Sequence, residues 1–233
     1  MKRHLPLLAA LAGVVLLVAL LLFRFQGLVT TYHGKTVKTW LLQLGAPAST
    51  AREEAEAAFL ALGTNAVPDL ARLLRTRDSP WRMLVWSHPS RIPPRWRNFA
   101  MRHVDPPSAF QVRPAAARAL ARFGPGAAPA LPELVAALQD KINGTYWEAG
   151  IALGRIGKPA VPHLVKALSD PDTLVRSAAA NGLGEAGPDA AEAVPALQEL
   201  LSHGTENEKA VAAQSLKKIQ QPNRKTTTGH IAH

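Results

Sequence analysis

The sequence predicts an all-α fold, an α-solenoid of stacked helix pairs behind an N-terminal apolar segment. Three observations carry that prediction. Apolar residues make up 47% of the 233-residue chain but aromatics only 6%, and an alanine-rich interior suits closely packed helices better than a sheet core. One phrase recurs along the chain: an alanine-rich helix closed by glycine, a tight turn, and a second helix opened by proline. The closing glycines Gly63, Gly124, Gly157 and Gly187 lie 61, 33 and 30 residues apart. A period of about 30–33 residues with two helices per unit marks a helical repeat array.

Residues 1–25 read as a membrane anchor. Leu5–Phe23 contains no charged or amide residue, and as a helix this stretch spans roughly 28 Å, close to a bilayer core of about 30 Å. Lys2 and Arg3 precede it, and Phe23-Arg24-Phe25-Gln26 follows where a cleaved signal segment, the competing reading, would carry small residues. A short basic tail stays cytoplasmic. The expected address is therefore the inner (cytoplasmic) membrane, single-pass, with the rest of the chain on the periplasmic side. Residues 26–35 form the linker.

The repeat domain is expected over 36–221. In its first helix Val37, Trp40, Leu41 and Leu44 share one face and Thr36 is the N-cap. This helix is expected to cap the N-terminal end of the stack. The alternative lays it on the membrane with Trp40 at headgroup level. Units then follow at 51–70, 112–134, 145–164 and 175–197, and a half-unit at 208–219. The glycine suits the left-handed turn after a helix. The prolines Pro68, Pro129 or Pro132, Pro162 and Pro195 suit the first turn of the second helix, where no backbone donor is needed. Asp170-Pro171-Asp172 turns the chain into the next unit, with Asp172 as cap.

The phrases AVPDL, AVPHL and AVPAL, each after a glycine-ended helix, and DPDTLVRSAAANGLGEAG at 170–187 resemble HEAT repeats of the short, alanine-rich type also found in phycobilisome-lyase-like proteins. Tyr32-x-Gly34-Lys35 and Trp40-Leu41, placed between an apolar segment and such repeats, resemble membrane-anchored HEAT proteins of the bacterial envelope. The resemblance implies a right-handed superhelix of helix pairs. It also implies a ladder in which Arg52, Arg113, Arg176 and Lys209 (Tyr146 in the third unit) pair with turn aspartates of adjacent units, here Asp140 and Asp170.

Residues 76–111 interrupt the period. From Arg72 to Arg122 there are eleven arginines against two aspartates, so +9 of the chain's net +10 lies there. One or two short helices, at 80–87 and 94–104, are expected between the prolines. Arg77, Trp81, Arg82, Arg91, Arg95, Trp96, Arg97 and Arg102 are the candidate anionic surface. Arginine supplies planar donors and tryptophan stacking faces, and anionic phospholipid headgroups suit the expected address better than nucleic acid does. The competing reading is a flap whose tryptophans tuck onto the solenoid. Residues 222–233 are polar and aperiodic and read as a disordered tail.

The chemistry search excludes several classes. Without cysteine there is no disulfide framework, thiolate site or cysteine nucleophile. No catalytic motif with the required spacing occurs, and His230-x-x-His233 lacks a third ligand. Catalytic, cofactor and metal residues are therefore none. The expected function is a non-catalytic, membrane-anchored scaffold for a protein partner. Its candidate surface is an exposed row on the second helices: Asp69, Arg72, Glu133, His163, Lys166 and Gln198. The alternatives are an anionic-membrane binder working through the insertion, and a lyase-like helical-repeat enzyme for which Asp105, Trp96 and Tyr146 would be the residues to find gathered.

Overall fold

The computed structural model describes residues 30–44, 50–78 and 108–221, together with Pro93 and Arg95. The expected anchor, the helices at 80–87 and 94–104 (Arg95 apart) and the tail lie outside the described residues. No helix among the described residues is long and apolar enough to cross a membrane.

The first described element is one that periodicity did not predict. Strands β1 (Thr31–Tyr32) and β2 (Lys35–Thr36) form an antiparallel pair closed by His33 and Gly34, both at positive φ (+49° and +72°). A two-residue turn with both central residues left-handed matches the strand twist. The His-Gly pair was the available signal. Helix α1 (Val37–Leu44) follows, with the Thr39 N–H donating to Thr36 Oγ1 at 3.3 Å as an N-cap. Trp40 is only 3% exposed, its indole N–H donates to the Tyr32 carbonyl at 3.1 Å, and Lys35 Nζ lies 4.2 Å from its ring centroid. That burial corrects the alternative in which Trp40 sits among lipid headgroups.

The repeats stack in two layers. The first layer holds α2 (Thr50–Leu62), α4 (Ala109–Phe123), α6 (Thr145–Ile156), α8 (Thr173–Ala186) and α10 (Glu206–Gln220). The second holds α3 (Val67–Leu74), α5 (Leu131–Ala137), α7 (Val161–Ala167) and α9 (Val194–His203). Gly63, Gly124, Gly157 and Gly187 all carry positive φ, from +52° to +87°, and so reverse the chain between layers. A proline stands at the first turn of every second-layer helix, which in the second unit is Pro132. The core is one continuous strip of alanine and leucine between the layers. No unit could bury its apolar face alone.

Between α6 and α8 the first layer is closed by backbone-to-backbone contact. A side chain at Gly150 would collide with the Ala178 carbonyl, one at Gly154 with the Gly182 carbonyl, and one at Gly182 with the Gly150 carbonyl. These glycines cost helix propensity, roughly 1 kcal/mol each relative to alanine, and gain a spacing no other residue allows. The second-layer helices α5, α7 and α9 pack chiefly on the first-layer helix that follows each and only marginally on one another.

The N-terminal end is built differently. Helix α1 packs against both α2 and α4, so it stands between two first-layer helices and not, as expected from sequence, at the outer end of the stack. Lys38 Nζ reaches Ser108 Oγ at the start of α4 (3.2 Å), and Leu44 lies beside Ala119 and Phe123 near its end. The 8-residue α1 is about 12 Å long and the 15-residue α4 about 22 Å. Among the described residues this helix spans only part of the length of α4.

The insertion does not break the stack. Helix α3 packs directly on α4 and α5, so removing residues 79–107 brings Gly63 and Gly124 to one repeat period. Asp78 holds the two ends together: its Oδ1 accepts the Ser108 N–H (2.9 Å) and its Oδ2 the Ala109 N–H (3.1 Å), capping α4. The described fold thus narrows the expected insertion of 76–111 at both ends.

Candidate interaction surfaces

Cross-repeat ties decide which polar groups are left for a partner. Arg113 donates from Nε to the Leu74 carbonyl at the end of α3 (3.0 Å) and pairs through Nη2 with Asp140 in the next unit (2.9 Å). Arg176 donates from Nη1 to the carbonyls of Asp170 and Pro171 (2.8 and 3.0 Å) and from Nε to Glu208 (2.6 Å). Each arginine therefore satisfies carbonyls behind it and a carboxylate ahead of it. The expected ladder is present at these two rungs. Asp170 is a correction: its carboxylate accepts from Gln139 Nε2 and the Asp172 N–H, and it is its carbonyl that meets Arg176. Arg52 and Lys209 pair within their own helices, with Glu56 and Glu206, and the Tyr146 N–H donates to the Asp140 carbonyl (2.9 Å).

Glu208 is the most buried of these charges, fully inaccessible in its relative surface area. Its Oε2 accepts the Thr205 N–H and Oγ1–H (2.7 and 2.8 Å), forming the capping box of α10, while Oε1 accepts Arg176. Burial pushes its carboxyl up, but Arg176 and the two Thr205 donors outweigh burial and hold it below the usual carboxylate range. Glu185 behaves likewise: burial raises it, and Lys218 and Arg155 together bring it below the usual value. A proline device completes the ties. Pro114 inside α4 cannot donate to the Phe110 carbonyl four residues back, and Asn143 Nδ2 donates to that carbonyl instead (3.2 Å).

The expected row on the second helices is only partly available. Asp69 is 5% exposed, accepts the Thr30 N–H at 2.7 Å and pairs with Arg72 at 3.1 Å. It ties the incoming chain to α3 and is not an exposed partner residue. Glu133 is half-buried and pairs with Arg75. Arg72, His163, Lys166 and Gln198 are exposed on α3, α7 and α9. Of the candidate anionic surface, Arg77 and Arg95 are exposed, and Trp81, Arg82, Arg91, Trp96, Arg97 and Arg102 lie outside the described residues. Asp105 and Trp96, sought for an enzyme site, lie there too, so no gathering with Tyr146 is described.

Sequence reasoning missed the first-layer ends. A cleft of about 420 Å³ opens between α2 and α4 beyond the end of α1, lined by Leu44, Phe59, Leu60 and Phe123 with Glu56 and Arg122 at its rim. Leu60 is 82% exposed. A second groove of about 620 Å³ runs across the closing turns of α4, α6 and α8, past Arg122, Arg155, Glu185 and Asp189. Arg155 pairs with Glu185 at 3.2 Å and Lys218 with the same carboxylate at 2.8 Å. Arg122 belongs to both grooves, and among the described residues it makes no ion pair. The signal was periodic: Arg122, Arg155, Glu185 and Lys218 all stand two residues before the closing position. Among the described residues, no group of three or more His, Asp or Glu side chains is placed to hold a metal ion.

Comparison with known proteins places the array. The HEAT repeats family matches residues 99–168 and 161–225, more than half of the chain. Among solved structures, two engineered proteins from the Northeast Structural Genomics Consortium are similar. One has 22% identity and a TM-score of 0.34 over 78% of this chain and 96% of the other. The second has 21% identity and a TM-score of 0.34, over 79% of this chain and 58% of its own. No curated protein sequence matches the chain.

Proposed function

The chain belongs to the HEAT-repeat family, whose arrays typically serve as protein-interaction scaffolds, and from that premise we propose that it is a non-catalytic scaffold for a protein partner. The observation that carries the reading is the use made of buried charge. The buried carboxylates of the described array, Asp69, Asp140 and Glu208, each hold a neighbouring segment or unit. An acid or base poised for catalysis would be aimed into a pocket with a shifted proton affinity and spare hydrogen-bonding capacity. These are engaged in building the stack.

The finer reading is that the scaffold is membrane-anchored. The apolar run Leu5–Phe23 behind Lys2 and Arg3 supports a single-pass anchor in the cytoplasmic membrane, with the repeats on the periplasmic side as an envelope-type HEAT protein. The domain plan of anchor 1–25, linker 26–35, repeats 36–221 and tail 222–233 belongs to the same proposal. Likeness to phycobilisome-lyase-type repeats supports the scaffold and brings no activity with it. The test is fractionation of cells with protease applied to intact spheroplasts, followed by in-cell crosslinking. The reading expects a membrane-bound chain whose repeats are cut from outside and a crosslinked protein partner. A soluble chain removes the anchor, and an array that crosslinks to no protein removes the scaffold.

A further inference from the structure

The two grooves that share Arg122 form one trough along the C-terminal ends of the first-layer helices, from the cleft at Phe59 and Leu60 to Asp189. Its chemistry is graded. At one end is an apolar cleft with an exposed leucine on its lip. In the middle stands the Arg122 guanidinium, exposed and without an ion-pair partner among the described residues, whereas Arg155 next to it is already engaged by Glu185. At the far end Asp189 is exposed on the closing turn of α8. The cleft lies between α2 and α4 beside Leu44, the last residue of α1. The trough therefore combines a pocket for an apolar side chain with a bidentate donor that no carboxylate among the described residues engages.

We propose that this trough binds an extended segment of a protein partner in which an apolar side chain enters the Leu44–Phe59–Leu60–Phe123 cleft, a neighbouring carboxylate pairs with Arg122, and a cation further along meets Asp189. The proposal rests on the scaffold reading and names the partner's chemistry. Charge complementarity sets the order. Neighbouring helices pack about 8–10 Å apart and closer where glycines let backbones touch, so Asp189, two helices on from Arg122, lies at most about 16–20 Å away, a span of no more than about five or six extended residues. A last-turn arginine also complements the helix dipole. That role would be served equally at Arg155 and Lys218, both of which carry carboxylate partners where Arg122, among the described residues, does not.

The test uses the full-length chain in neutral-lipid nanodiscs and fluorescein-labelled decapeptides of glycine and serine with three substitutions: leucine third, glutamate fifth and lysine tenth. Fluorescence polarisation is read against two controls, one with glutamine for the glutamate and one with glutamate and lysine exchanged. The proposal expects the parent peptide to bind at least tenfold more tightly than either control. Arg122→Glu should reverse the preference toward the exchanged peptide. Leu60→Ser, at an exposed position, should weaken the parent severalfold without moving the thermal midpoint. Equal affinity for the parent and exchanged peptides, no effect of either variant, or no binding up to millimolar chain overturns the proposal. Self-association of the chain that Leu60→Ser abolishes assigns the cleft to a second copy and overturns it as well. A chain that fails with these peptides yet still crosslinks to a protein in cells loses the trough and keeps the scaffold.

Discussion

The first layer is closed from α4 to α10 and wedged open between α2 and α4. In the closed region glycine lets helix backbones touch: Gly150, Gly154 and Gly182 face carbonyls of the neighbouring helix. In the open region α1 stands between the helices, held by Trp40 on one side and Lys38–Ser108 on the other. The same family of units thus gives a tight strip that sets shape and a gap that offers a pocket. Regularity and recognition are separated along the chain, and each variant below tests one side of that division.

The largest effect is expected in the wedge. Trp40→Ala removes a buried aromatic and its hydrogen bond to Tyr32, and should cost about 3–5 kcal/mol of stability in the N-terminal block. Because repeat stability is a sum of nearest-neighbour terms, hydrogen exchange should rise in α1, α2 and the start of α4 while α8 and α10 keep their protection. Equal loss of protection throughout would show that the two regions are one cooperative unit.

Gly154→Ala tests the closed strip. In an open helix face this change stabilises by about 1 kcal/mol. Here its methyl meets the Gly182 carbonyl, a backbone atom that cannot rotate away, and the expected result is a loss of about 1–3 kcal/mol in thermal or denaturant unfolding. A stabilised variant would mean that α6 and α8 are further apart than described.

Acid should act on the closed side through Glu208. Its folded carboxyl lies below the usual range, so its contribution is complete above an unfolded value of about 4.3. That contribution is lost as pH falls through the lower folded value. Glu208→Gln should cost about 1 kcal/mol at neutral pH and flatten the fall in stability on the acid side of pH 4. An unchanged acid slope would place the sensitivity elsewhere. The smallest effect is expected at the cleft: Leu60→Ser, at a position 82% exposed, should change stability by no more than about 0.5 kcal/mol. A larger loss would mean that the cleft is part of the core.

Much of the repeat fold was legible because its signals are local. Gly157 and Pro162 mark the break between two helices within six residues, and Asp172 announces the cap of α8, whose Leu174 N–H it accepts. The burial of Val37, Trp40 and Leu41 follows from spacing alone. Placement across the chain was not legible. Nothing in VKTWLLQL says whether that helix lies at the end of the stack or between two of its members, because both bury the same face. Asp69 reads as a polar residue on a second-helix face, and its burial depends on the Thr30 N–H, 39 positions away. Asp78 reads as a loop residue, and its job as clamp and cap depends on Ser108 and Ala109 across the insertion. The trough was missed because its residues lie at equivalent places in different units, so that position within the period, and not proximity in sequence, brings them together.

Hydrogen exchange of residues 37–44 in the full-length chain, alone and with Trp40→Ala, tests most directly that α1 is a member of the stack. The structure predicts slow exchange across 37–44, and in the variant a rise there together with loss of protection at Ser108 and Ala109, the amides held by Asp78. Exchange of 37–44 at the rate of an unfolded peptide in the unsubstituted chain would contradict it.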